Sequence, residues 1–384
     1  MSPATSSPIR QFVLKVASRC DLACDYCYIY QLPDQRWRTR PRTMSHETVD
    51  RAAERIAEHA RDNALPAVDV VLHGGEPLIA GPELLGYCVR RVRTAAGPGV
   101  RVRAAVQTNG VRLNRPFLEL FRQLDVRVGV SLDGGPTAHD RHRRDRRGNG
   151  THQTVVRAVR TLAEPRYRRL YAGLLCTVDL ANDPVRVHDA LTALRPPVID
   201  LLLPHGTWAV PPPGRDPGSA DAPYGRWLAA VFDRWHDAPA GTSRIRLFEE
   251  IIRVLLGRPS RLEGIGTAPA GSIVVETDGG IEESDHLATT SGAGVTGLNV
   301  ATSGFAEALA LPTARARRAG AAALSRACLA CPVVGVCGGG LYTHRYRPDN
   351  GFDNPSVYCP DLRHLIEHIR ARLLADVRAL GHAA

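Results

Sequence analysis

The stretch Cys20-Asp21-Leu22-Ala23-Cys24-Asp25-Tyr26-Cys27 places three thiols within eight residues. Three thiolates can hold three irons of a four-iron four-sulfur cube and leave the fourth iron open, whereas a cluster built only for electron transfer usually takes four cysteines. An open iron can bind and activate a small molecule. A structural zinc knuckle would use the same thiols, but zinc wants a fourth ligand close in the chain, and the nearest His is His46.

Working outward, residues 11–17 alternate and are rich in Val and Leu, which predicts a strand that delivers Cys20 to the loop at its C-terminal end. Ser45 caps a helix reaching about Ala60, because Ser-x-x-Thr precedes the periodic Val49, Ala53, Ile56 and Ala57. Further strands are predicted over residues 67–72, 100–107, 126–131, 171–178 and 198–203, with helices over 82–95, 115–124, 151–162 and 184–194. Strands alternating with helices argue for parallel βαβ units. A closed barrel would need two more units than the six present. The expected fold class is therefore α/β: an open, partial (β/α)6 TIM barrel whose mouth admits a large substrate.

The expected organisation is a flexible lead-in over 1–10, the partial barrel over 11–210, a linker and bridging helices over 211–265, and a C-terminal region over 266–384. Residues 211–223 are rich in Pro and Gly, as a linker is. Residues 272–277, the Asp278-Gly279 turn and Ile281 onward predict a β-hairpin.

The chain of 384 residues carries a net charge of +10, and Lys15 is the one basic residue that is not Arg. That skew, with abundant Ala, Pro and Gly, is better explained by a coding bias than by nucleic acid as a partner; a basic groove for an acidic peptide remains open. Nine cysteines with no signal peptide and no long apolar span predict a reducing cytoplasm and no membrane partner. Cys88 and Cys176 sit alone on apolar segments and read as core thiols.

Several short motifs fall where strands end, which is where barrel active sites are built. In His73-Gly74-Gly75-Glu76-Pro77, adjacent glycines let a backbone approach a ligand closely, and the carboxylate can accept hydrogen bonds from an ammonium group. Gln107-Thr108-Asn109-Gly110 and Ser131-Leu132-Asp133-Gly134 could each be only a turn, since Asn-Gly and Asp-Gly are common turn pairs. Arg143 ends His139-Asp140-Arg141-His142-Arg143, and its guanidinium suits planar recognition of a carboxylate. A second cysteine set, Cys328, Cys331, Cys337 and Cys359, would saturate a cube or hold a zinc ion.

The triad, with these motifs at these distances, resembles the radical S-adenosylmethionine (SAM) superfamily, whose fold is the partial barrel expected above. The resemblance implies a 4Fe-4S cluster on Cys20, Cys24 and Cys27, SAM chelated by the open iron, and reductive cleavage of SAM to a 5'-deoxyadenosyl radical. It also implies SAM contacts from Tyr26 beside the adenine, from the loop of Gly74, Gly75, Glu76 and Pro77, and from Asn109, Ser131 and Arg143. An external electron donor such as flavodoxin or ferredoxin follows from the same resemblance.

The second set is similar to the outer auxiliary-cluster ligands of the SPASM domain of peptide-modifying members, which implies one auxiliary 4Fe-4S cluster. Where that pattern has further cysteines, this chain has Leu341, Glu283, Ser284 and Asp285, so the inner auxiliary cluster is read as lost. Asp285 stands where sulfatase-maturing members keep a catalytic Asp; a solvated carboxylate at a hairpin end is the alternative. CDLACDYCYIYQLPDQRWRTRPRTM (residues 20–44) and CPVVGVCGGGLYTHRYRPDNGFDNPSVYCPDL (331–362) resemble the FxsB-type maturases. Those act on ribosomally made precursor peptides, several joining an aromatic ring to a β-carbon as a cyclophane, with an electron lost that the auxiliary cluster could receive. Thioether formation, side-chain oxidation as in sulfatase maturation, or epimerisation are the other outcomes open to such an enzyme, and an iron-sulfur or zinc binding module without catalysis is the alternative from another class.

Overall fold

The computed structural model describes residues 8–239, 241–290, 292 and 294–383, so most of the expected lead-in lies outside the described residues. In chain order the elements are β1 (Gln11–Ala17), α1 (His46–Asp62), β2 (Ala67–Gly74), α2 (Gly81–Ala96), β3 (Arg101–Thr108), α3 (Arg115–Gln123), β4 (Val126–Ser131), α4 (Pro136–His142), α5 (His152–Leu162) and β5 (Tyr171–Thr177). There follow α6 (Pro184–Thr192), β6 (Val198–Leu202), α7 (Pro223–His236), β7 (Arg244–Ile245), α8 (Arg246–Leu255), β8 (Ser272–Val275), β9 (Gly280–Glu282) and β10 (Val295–Asn299). The chain closes with α9 (Phe305–Ala310), α10 (Pro312–Arg318), α11 (Arg326–Leu329), α12 (Val334–Cys337) and α13 (Cys359–Ala383). The alternation expected from the sequence is observed with boundaries displaced by a residue or two, and α4, which was not expected, stands between β4 and α5.

Two compact units emerge: residues 1–175, 194–197 and 271–316 in the first, and 176–193, 198–270 and 317–384 in the second. In the first, β1 to β5 pair in parallel in sequence order, as successive βαβ crossovers dictate. The strands alternate buried and half-buried residues, and Phe12, Leu14, Val70, Leu72, Val106 and Val130 fill the core between sheet and helices. Ser45 caps α1 as predicted, its Oγ accepting from Thr48 N at 3.1 Å, and Asn114 and Asp183 cap α3 and α6 in the same way.

The predicted hairpin forms β8 and β9 around Gly279, which adopts φ +84°. Unforeseen from the sequence is its partner: β8 adds in parallel to the free edge of β1, and β10 then extends the hairpin antiparallel. The end of this hairpin thus comes to the loop that carries the three cysteines.

In the second unit β6 and β7 pair in parallel, and α13 packs along α7 and α8, with Leu365, Ile366, Ile369, Phe232 and Phe248 all buried and His368 meeting the Phe232 ring edge-on at 5.9 Å. Cys88 and Cys176, each read as a core thiol, are buried. No helix among the described residues is long and apolar enough to cross a membrane.

Candidate active site

The residues following β1 turn tightly, with Cys27 N donating to Cys24 O at 3.3 Å and Gln31 N to Cys27 O at 2.9 Å. Cys20, Cys24 and Cys27 are all half-buried free thiols. Donors are aimed at Cys20 Sγ: Leu22 N lies 3.4 Å away and Asn109 Nδ2 3.8 Å. Burial pushes the Cys24 thiol up to about 11 and raises Cys20 and Cys27 as well, so these sulfurs become anionic only when something replaces the proton. Arg146 anchors the loop by donating to Cys20 O at 2.7 Å.

The loop after β2 presses against this turn. Gly75 N donates to Ala17 O and Glu76 N to Arg19 O, each at 2.9 Å. A Cβ on Gly74, which has φ +144°, would stand 2.1 Å from Ala17 O, and one on Gly75 would stand 1.8 Å from Tyr30 Oη. The close approach these glycines permit is therefore to the chain's own cysteine loop. Glu76 is fully buried, its Oε1 accepting from Leu78 N and Thr108 Oγ1 and its Oε2 from Asn109 N, at 2.7–2.9 Å. Burial pushes the Glu76 carboxyl up to about 7, and those three donors oppose the rise. Pro77 begins the 3₁₀ turn that Glu76 caps.

Asn109 donates to Asp21 Oδ1 at 2.8 Å, and Ser131 accepts from Gln107 Nε2 at 3.0 Å. Asp133 is the residue that sequence reasoning passed over. It is buried, and its Oδ2 accepts both from Tyr26 Oη and from Arg143 Nε, the latter at 2.8 Å. The Arg143 guanidinium lies 5.5 Å from the Tyr26 ring centroid. Tyr26 and Arg143 are thus brought together through a carboxylate whose signal in the sequence was the Asp-Gly pair itself.

Asp285 begins the 3₁₀ turn after β9 and is 8% exposed. Its Oδ2 accepts from Tyr28 Oη at 2.7 Å and stands 4.0 Å from His73 Nδ1, while its Oδ1 is 3.5 Å from His286 Nε2. Burial alone would raise this carboxyl; His286, Lys15, His73 and the Tyr28 hydrogen bond outweigh it and hold the group far below the usual carboxylate range. Lys15 lies beside His73 in the β1–β2 register, and its Nζ is 3.1 Å from Glu276 Oε1. Arg40 bridges Glu276 at 3.0 Å and Glu282 at 2.5 Å. A lone Lys within an apolar strand and His73 ahead of the glycines were the available signals for this cluster.

Residues 14–176 match the radical SAM superfamily. The chain carries a radical SAM domain. Over 349 residues it is 26% identical to the serine-type anaerobic sulfatase-maturating enzyme of Klebsiella aerogenes, covering 89% of this chain and 82% of that one. It spans 38% of the length of an uncharacterized Synechocystis protein, with 31% identity over 160 residues. Its fold is similar to that of anSMEcpe with bound AdoMet, with a TM-score of 0.81 at 20% identity over 96% of this chain and 99% of that one. SuiB of Streptococcus suis bound to its precursor peptide SuiA is similar with a TM-score of 0.59 at 13% identity, over 92% and 76% of the two chains.

A radical SAM domain implies a 4Fe-4S cluster and SAM, and the residues present fit them. Among the described residues no three His, Cys, Asp or Glu stand close enough to hold a single metal ion, whereas a cube takes each thiolate on a separate iron. In the second unit, Cys328, Cys331, Cys337 and Cys359 line one cavity of about 280 Å³ together with Arg363. Ser325 caps α11 by accepting from Cys328 N at 3.3 Å, and Cys359 opens α13. Four thiols around one cavity likewise match the donor set of a saturated cluster.

Proposed function

We propose that this chain modifies a ribosomally made precursor peptide by joining an aromatic ring to the β-carbon of a nearby residue. The observation that carries this reading is Asp285, a buried and ionised carboxylate hydrogen-bonded to Tyr28, the residue next to Cys27. The chemistry that the cluster and SAM supply when bound is hydrogen-atom abstraction from an unactivated carbon. Cys20, Cys24 and Cys27 hold that cluster. Tyr26, the loop from Gly74 to Pro77, Asn109, Ser131 and Arg143 place SAM, with Asp133 fixing the Tyr26 ring and the Arg143 guanidinium. Three of the lone pairs of Glu76 serve Leu78, Thr108 and Asn109, so its part is chiefly to pin the β2 and β3 loops together. Asp285 accepts the proton that an aromatic ring must release after bonding to carbon. Cys328, Cys331, Cys337 and Cys359 hold one auxiliary cluster, and a flavodoxin or ferredoxin supplies electrons.

Peptide modification is supported by similarity to the Klebsiella enzyme over most of the chain. The crosslink is supported by the likeness of residues 20–44 and 331–362 to FxsB-type maturases. That same Klebsiella similarity favours a second reading, oxidation of a Ser or Cys side chain to a carbonyl, for which an ionised Asp285 serves equally as base.

Anaerobic co-expression with candidate precursor peptides that carry aromatic residues near their end, sought among short reading frames beside the gene, separates the two. A loss of two hydrogens, a ring-bridged fragment in tandem mass spectra and no capture by a hydrazide would support the crosslink. A peptide captured by the hydrazide would overturn it in favour of oxidation.

A further inference from the structure

Arg345 is 7% exposed, and all its hydrogen bonds go to backbone carbonyls: Gly338 O at 2.6 Å, Gly339 O at 3.1 Å and Gly340 O at 3.1 Å. These three residues follow Cys337 directly. Each takes a left-handed φ, between 60° and 80°, which turns their carbonyls onto the guanidinium. A Cβ on Gly339 would stand 2.9 Å from Arg345 Cζ.

Among the described residues no carboxylate lies within ion-pair distance of Arg345. Glu263, whose charge reaches it, is already paired with Arg317 at 2.8 Å. A buried cation without a counter-charge is costly. The neighbours of Arg345 here are the Tyr342 ring, whose centroid lies 5.7 Å from Cζ, and the sulfurs of Cys328 and Cys337, which would favour the cation once they are thiolates. Arg363 lines the same cavity as Cys331 and Cys359. Its described ion-pair partner is Glu367 at 2.9 Å, on the exposed side of α13.

We infer that Arg345 and Arg363 set the reduction potential of a cluster held by Cys328, Cys331, Cys337 and Cys359. This inference rests on the auxiliary cluster proposed above. A cube with four thiolates carries net negative charge, and each electron added makes it more negative. A cation behind the glycine turn that follows Cys337 and another lining the cavity favour the reduced form and raise its potential. Arg345 also positions Cys337, because its fork holds the glycine turn that follows it.

The test uses full-length protein in which Cys20, Cys24 and Cys27 are Ser, so that only the second set can bind iron. Midpoint potentials are read by EPR-monitored redox titration, and metal by elemental analysis. Arg363→Gln should keep its iron and titrate at lower potential. Arg345→Gln should titrate lower still or lose iron, and Arg345→Lys, which keeps the charge, should keep the iron and most of the potential. Unchanged midpoints in Arg363→Gln and in an iron-replete Arg345→Gln would overturn the inference, as would iron loss in both Arg345 variants alongside an unmoved Arg363→Gln. Zinc, or no metal, in the parent with three serines would instead overturn the auxiliary cluster itself.

Discussion

Tyr28 Oη donates to Asp285 Oδ2 at 2.7 Å, joining the residue after the third cysteine to the end of a hairpin 257 positions later. The bond exists because β8 docks on β1, which brings the hairpin end against the loop leaving the same strand. His73, beside Lys15 in the sheet register, completes the surroundings of the carboxylate.

If Asp285 takes a proton after hydrogen abstraction, Asp285→Asn should still cleave SAM while losing about 10²–10⁴-fold in modified peptide. Anaerobic assay of 5'-deoxyadenosine and of peptide product in one reaction checks this. Equal loss of both would place Asp285 with the cofactor and not with the substrate. Since the carboxyl is held far below its ordinary value, it stays ionised throughout pH 5–9, so any acid limb of the rate in that range belongs to another group.

Glu76 gives a stability signature of opposite sign. Burial pushes its folded pKa up to about 7, above the ordinary value of 4.5. The stability it contributes is therefore fully present below about 4.5 and is lost as pH rises through 7, a change of about 3 kcal/mol by linkage. Glu76→Gln should flatten this part of the pH profile between pH 5 and 8, while costing stability at every pH because an amide NH₂ would face the donating N–H of Asn109. Thermal unfolding of both proteins across that range is the measurement, and parallel profiles would refute the assignment.

How much of this was legible beforehand follows from the range of each interaction. The strands 67–74 and 101–108 announced themselves through runs of Val bounded by turn residues, and Ser45 through its cap, because those signals act over a few residues. The triad was equally plain, since its three thiols are neighbours in the chain. Asp133 was hidden by chemistry shared with turns: an Asp before Gly is ordinary until Arg143 and Tyr26 are seen to converge on it. Lys15 and His73 gave residue types without partners, for their companions Glu276 and Asp285 reach them only through a strand pairing between residues about 260 apart. The parallel addition of β8 to β1 has no local signature, because a hairpin of that length could pair with any free sheet edge.

Removing the three N-terminal thiols tests the division of labour between the two cysteine sets. The variant with Ser at 20, 24 and 27 should lose all SAM cleavage and keep the iron held by the second set, whose cavity is formed by 327–363 alone. Iron per chain should fall by about half if each set holds one cube of four irons. Complete loss of iron would show that the second set holds none, and full retention would show that the triad is no ligand.

Lys15 offers the last prediction, because its ammonium is buried in β1 among Glu276, Glu282 and Asp285. Burial would lower its pKa, but those carboxylates outweigh that and leave it raised, so it is charged at every pH below its ordinary value near 10.5. Lys15→Met removes one cation from a group of acids that keeps Arg40 at 3.0 Å from Glu276. The cost should fall near the lower end of the 3–5 kcal/mol typical of breaking a buried pair, about 3 kcal/mol. Since the stability a raised group contributes is lost only as pH climbs past its unfolded value, this difference should be constant between pH 6 and 9. Adding Glu276→Leu should recover part of the loss by removing the carboxylate left behind, which a double-mutant cycle measures directly. Without Lys15 the Asp285 carboxyl should also rise toward its ordinary value, so Lys15→Met peptide modification should acquire an acid limb that the wild type lacks. A Lys15→Met protein with unaltered stability and an unaltered pH profile would show that the ammonium neither supports the fold nor acts on Asp285.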